Sequence, residues 1–146
     1  MNNGFEMRFP AKSENESFAR VCAGAFAARL DPTVSELEDI KTAVSEAVTN
    51  CVVHAYKDGG DITLTGRIDG RLVTFTVIDT GCGIDNIDEA RAPFYTTGGD
   101  DHSGMGFTMM ESFMDGVDVR SVKGRGTTVS LHKFIPEGAH GKAARA

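Results

Sequence analysis

The chain has 146 residues, of which 40% are hydrophobic and 25% charged, and its formal net charge is −6. This length is sufficient for one domain with a hydrophobic core, and the acidic balance argues against direct binding to DNA or RNA. The three cysteines, Cys22, Cys51 and Cys82, never form a CxxC pattern, which argues against a disulfide framework and against a zinc site. We interpret them as buried or half-buried thiols in a reducing compartment.

Export and membrane insertion are not predicted. No basic segment followed by an apolar run opens the sequence, as a signal peptide requires, and no apolar run reaches the length of a membrane span. We therefore expect a cytoplasmic protein. Residues 1–136 are expected to form the domain, and the small, polar residues 137–146 a disordered tail.

The first predicted elements are a strand and a helix. Apolar and polar residues alternate from Phe5 to Phe9, which predicts a short strand that ends at Pro10. Ser13 and Glu16 have the spacing of a capping box. The apolar residues that follow recur at helical spacing, so a helix is expected to run to about Leu30, where an Asp-Pro pair ends it.

A second, longer helix and a hairpin follow. Thr33 and Glu36 form another capping box, and apolar residues at three-and-four spacing continue to about Tyr56. Two segments rich in β-branched residues then flank Asp69-Gly70, which is a strong signal for a β-hairpin.

The second half of the chain predicts a lid, a short helix and two closing strands. Residues 79–103 lose regular periodicity and gather Gly, Asp and Thr, which in a compact domain usually indicates a functional lid. A helix is expected over 104–114, followed by strands at 117–122 and 127–132. This order of elements predicts a two-layer α/β sandwich, with a mixed β-sheet covered on one face by helices.

The long helix carries Glu46, Asn50 and His54 at intervals of four residues, which places them on one helix face. The neutral amide oxygen of Asn50 suits Mg²⁺, which takes few protein ligands and keeps several waters, and Glu46 is suited to act as a general base. A solvated helix face with its own hydrogen bonds explains each residue taken singly equally well. His54 by itself is more typical of a structural role than of a ligand.

Glycine-rich segments supply two further candidate sites. Asp79 ends a hydrophobic strand and is followed by Gly81 and Gly83, so its carboxylate could accept a hydrogen bond from an exocyclic amine such as that of adenine. Gly104 and Gly106 open the third helix, where free backbone N–H groups and the helix dipole favour an anion. Taken alone, each segment is equally typical of an ordinary turn or of a tight helix entry.

The combination of these segments resembles a known superfamily. A helix with ExxxN, a strand that ends in DxGxG, a lid and a GxG helix entry occur in the order of the N, G1 and G2 boxes of the GHKL ATPases, which include gyrase and the histidine kinases. Segments that lie partly outside these boxes are similar to the SpoIIAB-type anti-sigma F factors of spore-forming bacteria, namely 15–21, 30–33, 45–50, 103–108 and 111–115. The resemblance extends to about Lys133.

The resemblance implies the ATP-binding fold of that family, a homodimer, inhibition of the sporulation sigma factor F of RNA polymerase, and ATP-dependent phosphorylation of a serine on an anti-anti-sigma protein. Glu46 matches the catalytic base, Asn50 the ligand of Mg²⁺, and Arg20 the position where the family docks its protein partners. The residues that match nucleotide contacts are Asp79, Gly81 and Gly83 on the adenine side, Thr127 or Thr128 near the adenine, and Thr97, Gly104 and Gly106 on the phosphate side.

The lid departs from the family pattern. Gly98 stands where the usual FTTK run has a basic residue, and His102 replaces a basic residue that commonly precedes the SGMGF motif. Both changes remove positive charge near the expected γ-phosphate, and Arg91 and Lys57 are candidates to compensate. Because histidine titrates near neutral pH, we hypothesise that the contribution of the lid to nucleotide binding depends on pH. A nucleotide affinity that does not change between about pH 5.5 and 8 would contradict this hypothesis.

Three alternatives stay open on the sequence alone. The first is a nucleotide-binding anti-sigma adaptor that no longer phosphorylates, which the lid changes favour and the intact Glu46 disfavours. The second is the catalytic domain of a histidine kinase, although the sequence shows no dimerising helical hairpin with a phosphoacceptor histidine. The third is a structural domain that binds no nucleotide.

Overall fold

Five strands and three α-helices form the part of the chain that the computed structural model describes, residues 2–56, 59–84 and 106–137. The strands are β1 (Asn2–Pro10), β2 (Asp61–Asp69), β3 (Leu72–Asp79), β4 (Gly116–Val122) and β5 (Gly126–Phe134). The α-helices are α1 (Glu14–Ala27), α2 (Val34–Asn50) and α3 (Gly106–Phe113), with a 3₁₀ turn (Ala28–Leu30) after α1 and a π-helical turn (Cys51–Ala55) after α2. Within these residues, no helix is both long and apolar enough to cross a membrane.

The strands lie in the order β1-β2-β3-β5-β4, and every described pair is antiparallel. The predicted sheet covered by helices is confirmed, but the prediction of a mixed sheet is wrong. The chain goes out along α1 and back along α2, so β2 returns antiparallel to β1, with Pro10 opposite Asp61. β3 and β4 do run in the same direction, but β5 lies between them and pairs antiparallel with both.

The core lies between the sheet and the helices, which cover one face of it. Buried and half-exposed residues alternate along β3, as expected for an antiparallel sheet with one covered face. Phe26 of α1 makes edge-to-face contacts with Phe5 and Phe75, with ring centroids 4.8 and 6.1 Å apart. Other fully buried side chains include Ile40, Val44, Val48, Leu64, Met110 and Leu131.

The two predicted capping boxes have different outcomes. The second is confirmed: Thr33 Oγ1 accepts a hydrogen bond from the Glu36 N–H at 3.0 Å, and Glu36 Oε1 accepts one from the Thr33 N–H at 2.8 Å. The first is wrong, because Ser13 has helical backbone angles and makes no side-chain cap. The Glu16 carboxylate accepts a hydrogen bond from the Ser45 hydroxyl instead, and so ties α1 to α2.

The two predicted hairpins are confirmed. β2 and β3 pair from Asp69 opposite Leu72 onward, and Gly70 has a φ of +64° in the turn between them. β4 and β5 pair around a turn in which Gly124 has a φ of +80°. Both turns need the left-handed backbone conformation that glycine adopts without a steric penalty.

Candidate functional site

α2 carries the two residues predicted to act on the phosphate side. Glu46 and Asn50 are both half-buried and lie about one helical turn apart. After Asn50 the backbone becomes π-helical over Cys51–Ala55, where hydrogen bonds reach five residues instead of four. This change shifts His54 around the helix axis from the place an α-helix would have given it. The His54 carbonyl oxygen accepts a hydrogen bond from the Cys82 thiol at 3.2 Å.

The side chain of Asn50 lies directly against the start of α3. A Cβ atom added at Gly106 would come within 3.0 Å of Asn50 Oδ1 and 3.2 Å of Nδ2. The glycine therefore lets the backbone of α3 approach the amide closely. The structure brings the end of α2 and the glycine-rich helix entry together, although the sequence separates them by more than 50 residues.

The other end of α3 is held by Lys133, a buried cation on β5. Its Nζ donates a hydrogen bond to the carbonyl oxygen of Phe113, the last residue of α3, at 2.6 Å. The same atom lies 3.7 Å from Asp39 Oδ2 on α2. A cation is favourable at a helix C-terminus. α3 is thus fixed at Gly106 by α2 and at Phe113 by β5.

Asp79 ends β3 and is only 6% exposed. Its Oδ1 accepts hydrogen bonds from the backbone N–H groups of Gly81 at 3.0 Å and Thr127 at 3.2 Å. Its Oδ2 accepts a hydrogen bond from the thiol of Cys51 at 3.3 Å. Burial, and after it the charge and hydrogen bond of Asp79, raise the pKa of Cys51 well above its usual value. The thiol is therefore the donor in this contact and the carboxylate the acceptor.

The glycines near Asp79 bring separate backbone segments into contact. A Cβ atom at Gly81 would lie 2.1 Å from the carbonyl oxygen of Ala55, and one at Gly126 would lie 2.1 Å from that of Asp79. Gly83 and Gly126 also have positive φ angles, +77° and +127°. The loop after β3 therefore packs between the π-helical turn that follows α2 and the start of β5.

Cys82 lies in the same loop as an exposed thiol, which corrects the prediction that all three cysteines are buried or half-buried; Cys51 is buried and Cys22 is half-buried. The main chain of Cys82 makes the packing contacts. Its N–H donates to the Ala55 carbonyl at 2.8 Å, and its carbonyl accepts from the Gly124 N–H at 2.7 Å. Because backbone fills the inner side of the loop, the side chain is left outside.

Strand alternation separates the two candidate threonines of β5. Thr127 is opposite Asp79 in the register, and its Oγ1 lies 2.8 Å from the hydroxyl of Ser121 on β4. Thr128 is opposite Ile78, and successive strand residues point to opposite faces of a sheet. The structure thus places Thr127 on the face of Asp79 and Thr128 on the opposite face, which no helix of the described residues covers. Of the two threonines, Thr127 is the one beside Asp79.

Two predicted nucleotide contacts, Thr97 and Gly104, lie outside the described residues, as does most of the predicted lid. The other predictions that fall outside them concern Gly98, His102, Lys57, Arg91 and the tail residues 138–146.

Two side chains contribute to the site although no motif in the sequence pointed to them. Cys51 was part of the predicted apolar stripe, yet it bonds Asp79. Tyr56 donates a hydrogen bond to the Asp61 carbonyl at 2.7 Å and accepts one from the Thr80 N–H at 2.8 Å, so it anchors the loop after β3. Their closeness to Asn50 in the chain is the one signal the sequence offered.

The side chains present fit a magnesium-bound adenine nucleotide. Asp79 offers a buried carboxylate at a strand end, in a loop that Gly81 and Gly83 allow to pack closely against neighbouring backbone. Asn50 offers an amide oxygen beside a helix start, and Glu46 a carboxylate one turn earlier. Such a sparse set of oxygen ligands suits Mg²⁺, which retains several waters and completes its shell with phosphate oxygens.

A second candidate surface lies on α1. Arg20 Nη1 is 3.5 Å from Glu16 Oε1, and the Arg20 side chain is 42% exposed. Phe18 and Val21, on either side of it in sequence, are 52% and 60% exposed. Aromatic residues and arginine are enriched where proteins bind one another. The docking position predicted at Arg20 therefore lies on a helix with exposed charged and exposed apolar side chains.

A family model and solved structures agree with this fold. Residues 9–133 match the histidine kinase-like ATPase domain. The RsbU and RsbW domains of a Mycobacterium tuberculosis protein match with a TM-score of 0.68 at 20% identity, covering 91% of this chain and 32% of that one. The histidine kinase domain of the Erythrobacter litoralis kinase EL346 matches with a TM-score of 0.56 at 19% identity, covering 87% and 62%. The fold and the site thus define a histidine kinase-like ATPase.

Relatives of higher identity narrow the class further. The anti-sigma F factor of Clostridium acetobutylicum is 52% identical over 135 residues, which is 91% of this chain and 94% of the relative. That of Geobacillus thermodenitrificans is 53% identical over 138 residues, 92% and 94% of the two chains. The chain belongs to the anti-sigma F factor family, and the resemblance predicted from its motifs is confirmed.

Proposed function

We propose that this protein binds and inhibits the sporulation sigma factor F in the cytoplasm, and that it uses ATP to phosphorylate a serine of an anti-anti-sigma antagonist. One observation carries the proposal: three motifs meet at the end of α2, where Asn50 lies against Gly106 and the next residue, Cys51, bonds Asp79. A nucleotide with its adenine at Asp79 and its phosphates at Asn50 would span this junction. Membership of the anti-sigma F factor family supports the identity of the sigma factor.

The residues have separate roles in the proposed reaction. Asp79 accepts a hydrogen bond from the amine of adenine. Asn50 would hold Mg²⁺, which would supply charge neutralisation at the phosphates. The backbone N–H groups at the start of α3 favour the negative charge that develops during transfer. Glu46 orients the serine hydroxyl of the antagonist and accepts its proton. The assignment of Thr97 and Gly104 to the phosphates stays a prediction.

A phosphotransfer assay tests this proposal. The protein is incubated with ATP, Mg²⁺ and the antagonist, and phosphoserine and nucleotide binding are measured in parallel. We expect Glu46→Ala to bind nucleotide but to lose transfer by about 10²- to 10⁴-fold, because it removes the general base. Asn50→Ala should lose binding of the magnesium nucleotide. A folded wild-type protein without affinity for ATP or ADP would refute the proposal.

A second candidate function is that of a nucleotide-binding adaptor without kinase activity. Gly98 and His102 stand where the family has basic lid residues, and this loss of fixed charge favours it. The same assay separates the two functions. An adaptor would bind nucleotide and sigma factor and leave the antagonist without phosphoserine.

The α1 surface around Arg20 is the proposed docking site for the protein partners. Arg20 forms an ion pair with Glu16, and the Glu16 carboxylate also accepts a hydrogen bond from Ser45 of α2. The arginine is therefore linked to both helices. Val21 and Phe18 are exposed on the same helix, about 100° and 160° around its axis from Arg20. Arg20→Ala should weaken binding of the sigma factor while ADP affinity stays unchanged, since the surface does not include Asp79 or Asn50.

We also propose that two copies of the chain form a dimer through the uncovered face of the sheet. Of the six exposed large hydrophobic residues in the described ranges, Leu72, Val122 and Phe134 lie on this face, with exposed fractions of 38%, 58% and 53%. Leu72 and Phe134 are direct neighbours in the register. Val122 lies opposite Gly126, about 26 Å along β5 from Phe134 at the other end of this face. A two-fold dimer would cover the Leu72–Phe134 pair. Phe134→Glu should convert the dimer to a monomer in sedimentation equilibrium; a variant that stays dimeric would exclude this face.

A further inference from the structure

We propose that Cys51 is a positioning residue for nucleotide recognition: its thiol orients the Asp79 carboxylate so that Oδ2 meets the amine of adenine. This inference rests on the proposed function, because it concerns the same nucleotide site. Neither the family motifs nor the comparisons assign a role to this cysteine. It follows Asn50 directly, so one short segment supplies both the proposed metal ligand and the support of the base-reading carboxylate.

The hydrogen bonds of Asp79 divide its two oxygens into different roles. Oδ1 accepts two backbone N–H groups, from Gly81 and Thr127, and these bonds hold it against the loop and the start of β5. Oδ2 receives only the Cys51 thiol at 3.3 Å among the described contacts. Two bonds on one oxygen still allow the carboxylate to rotate about them, whereas the thiol gives a third fixed point on the other oxygen.

The thiol is itself held by the backbone around it. Cys51 begins the π-helical turn, whose last residue, Ala55, accepts the Cys82 N–H at 2.8 Å. Tyr56, which follows, accepts the Thr80 N–H at 2.8 Å. The turn is therefore attached at its far end to the same loop that begins at Asp79. These contacts hold the backbone segment from which the thiol reaches the carboxylate.

A thiol suits this position because it is a weak donor. A weak donor orients Oδ2 but leaves most of its accepting capacity for the ligand. At the corresponding edge, adenine carries an amine, which donates, whereas guanine carries a carbonyl oxygen, which would face the carboxylate as a second acceptor. A carboxylate held in one orientation strengthens this discrimination. A carboxylate that can rotate would bind adenine less tightly and would distinguish the two bases less well.

Titration calorimetry with Mg²⁺ and ADP, GDP or inorganic tripolyphosphate tests the inference on the wild-type protein, Cys51→Ala and Cys51→Ser. Loss of one such hydrogen bond predicts that Cys51→Ala binds ADP about 2- to 10-fold more weakly. The ratio of ADP to GDP affinity should fall, and tripolyphosphate affinity should stay constant because that ligand does not reach Asp79. Cys51→Ser, which keeps a donor, should restore ADP affinity to within about twofold.

Cys22→Ala is the matched control, since it removes a half-buried thiol from α1 and should change none of these affinities. If Cys51→Ala binds ADP and GDP as the wild type does, the inference is wrong and the proposed function is unaffected. If Cys51→Ala does not fold, Cys51→Ser decides alone: a folded serine variant that has lost ADP affinity 10-fold or more overturns the positioning role. A wild-type protein that binds no ADP overturns the proposed function and this inference with it.

Discussion

The adenine side and the phosphate side of the site are held together by different kinds of contact. On the adenine side, glycines press backbone against backbone: a Cβ at Gly81 or at Gly126 would lie 2.1 Å from a carbonyl oxygen. On the phosphate side, the neighbour is a side chain: a Cβ added at Gly106 would lie 3.0 Å from Oδ1 of the Asn50 amide. A backbone contact cannot yield without moving a strand or a loop, whereas a side-chain contact can yield by a small rotation.

This difference suggests a division of labour in the proposed kinase. On the adenine side, the Asp79 carboxylate accepts three hydrogen bonds from three different segments, which hold it in place. The phosphate side must accept both a nucleotide and the serine of a partner, and it depends on one short helix held at its two ends. Substitutions that act on one side and spare the other can test this contrast.

The largest expected effect is on the adenine side. In Gly126→Ala, the new Cβ would clash with the Asp79 carbonyl, and the φ of +127° disfavours any side chain. Because neither backbone segment can give way, we expect the free energy of unfolding to fall by about 3 kcal/mol or more. Urea denaturation followed by circular dichroism measures it. ADP affinity should fall as well, since Thr127 and Asp79 would separate.

Gly124→Ala is the control for this variant. Its φ of +80° is also left-handed, but no atom lies within 4 Å of the added Cβ. The left-handed conformation alone should cost about 1 kcal/mol. Equal losses for the two variants would mean that backbone conformation, and not the close approach to Asp79, limits the adenine side.

The second effect concerns the support of the phosphate side. Lys133→Ala removes the cation that donates a hydrogen bond to the carbonyl oxygen of Phe113, and it leaves that half-buried helix end without its donor. We expect a loss of about 2 kcal/mol in the free energy of unfolding. The Asp39 contact adds little, because this carboxylate is 32% exposed and solvent screens it. Lys12→Ala, at an exposed loop position, should cost less than about 0.5 kcal/mol.

These contrasts also show which features could be predicted from the sequence. The Thr33–Glu36 capping box is a local feature, because both bonds close within one helical turn, and it was predicted correctly. The box at Ser13 failed because Glu16 bonds a residue 29 positions away, and a local pattern cannot report a distant competitor. Motif order identified the family correctly and made Asn50 and Asp79 candidate site residues, because each motif is short and contiguous.

Strand register accounts for most of what the sequence could not provide. The choice between Thr127 and Thr128 depends on which of them lies opposite Asp79, and the antiparallel character of the sheet depends on β5 lying between β3 and β4. The contact between Cys51 and Asp79 joins residues 28 positions apart. Such pairings follow from the packing of the whole sheet on the helices.

The third predicted effect is on nucleotide binding at the phosphate side. In Gly106→Ala, the added Cβ requires the Asn50 amide to move by a few tenths of an ångström, which displaces the proposed magnesium ligand. We expect affinity for magnesium ATP to fall about tenfold, which corresponds to ~1.4 kcal/mol. Alanine is the better helix former, so stability should not fall. Adenosine affinity, measured by the same calorimetry, should stay unchanged; an equal loss for adenosine and ATP would contradict two separable sides.

The smallest predicted effect returns to the adenine side and depends on pH. Because burial and Asp79 raise the pKa of Cys51, the folded protein keeps this thiol proton above about pH 8.5, where the thiol of the unfolded chain ionises. The folded state then binds more protons than the unfolded state, so the free energy of unfolding falls as pH rises, by at most about 1.4 kcal/mol per pH unit. Urea denaturation of the wild type and Cys51→Ser at pH 7.5, 8.5 and 9.5 isolates this contribution, since serine does not titrate there. The wild type should lose about 1 kcal/mol more than the variant by pH 9.5. If the free energies of unfolding of the two proteins change equally with pH, solvent reaches the thiol, and the surroundings of Asp79 are more open than its hydrogen bonds indicate.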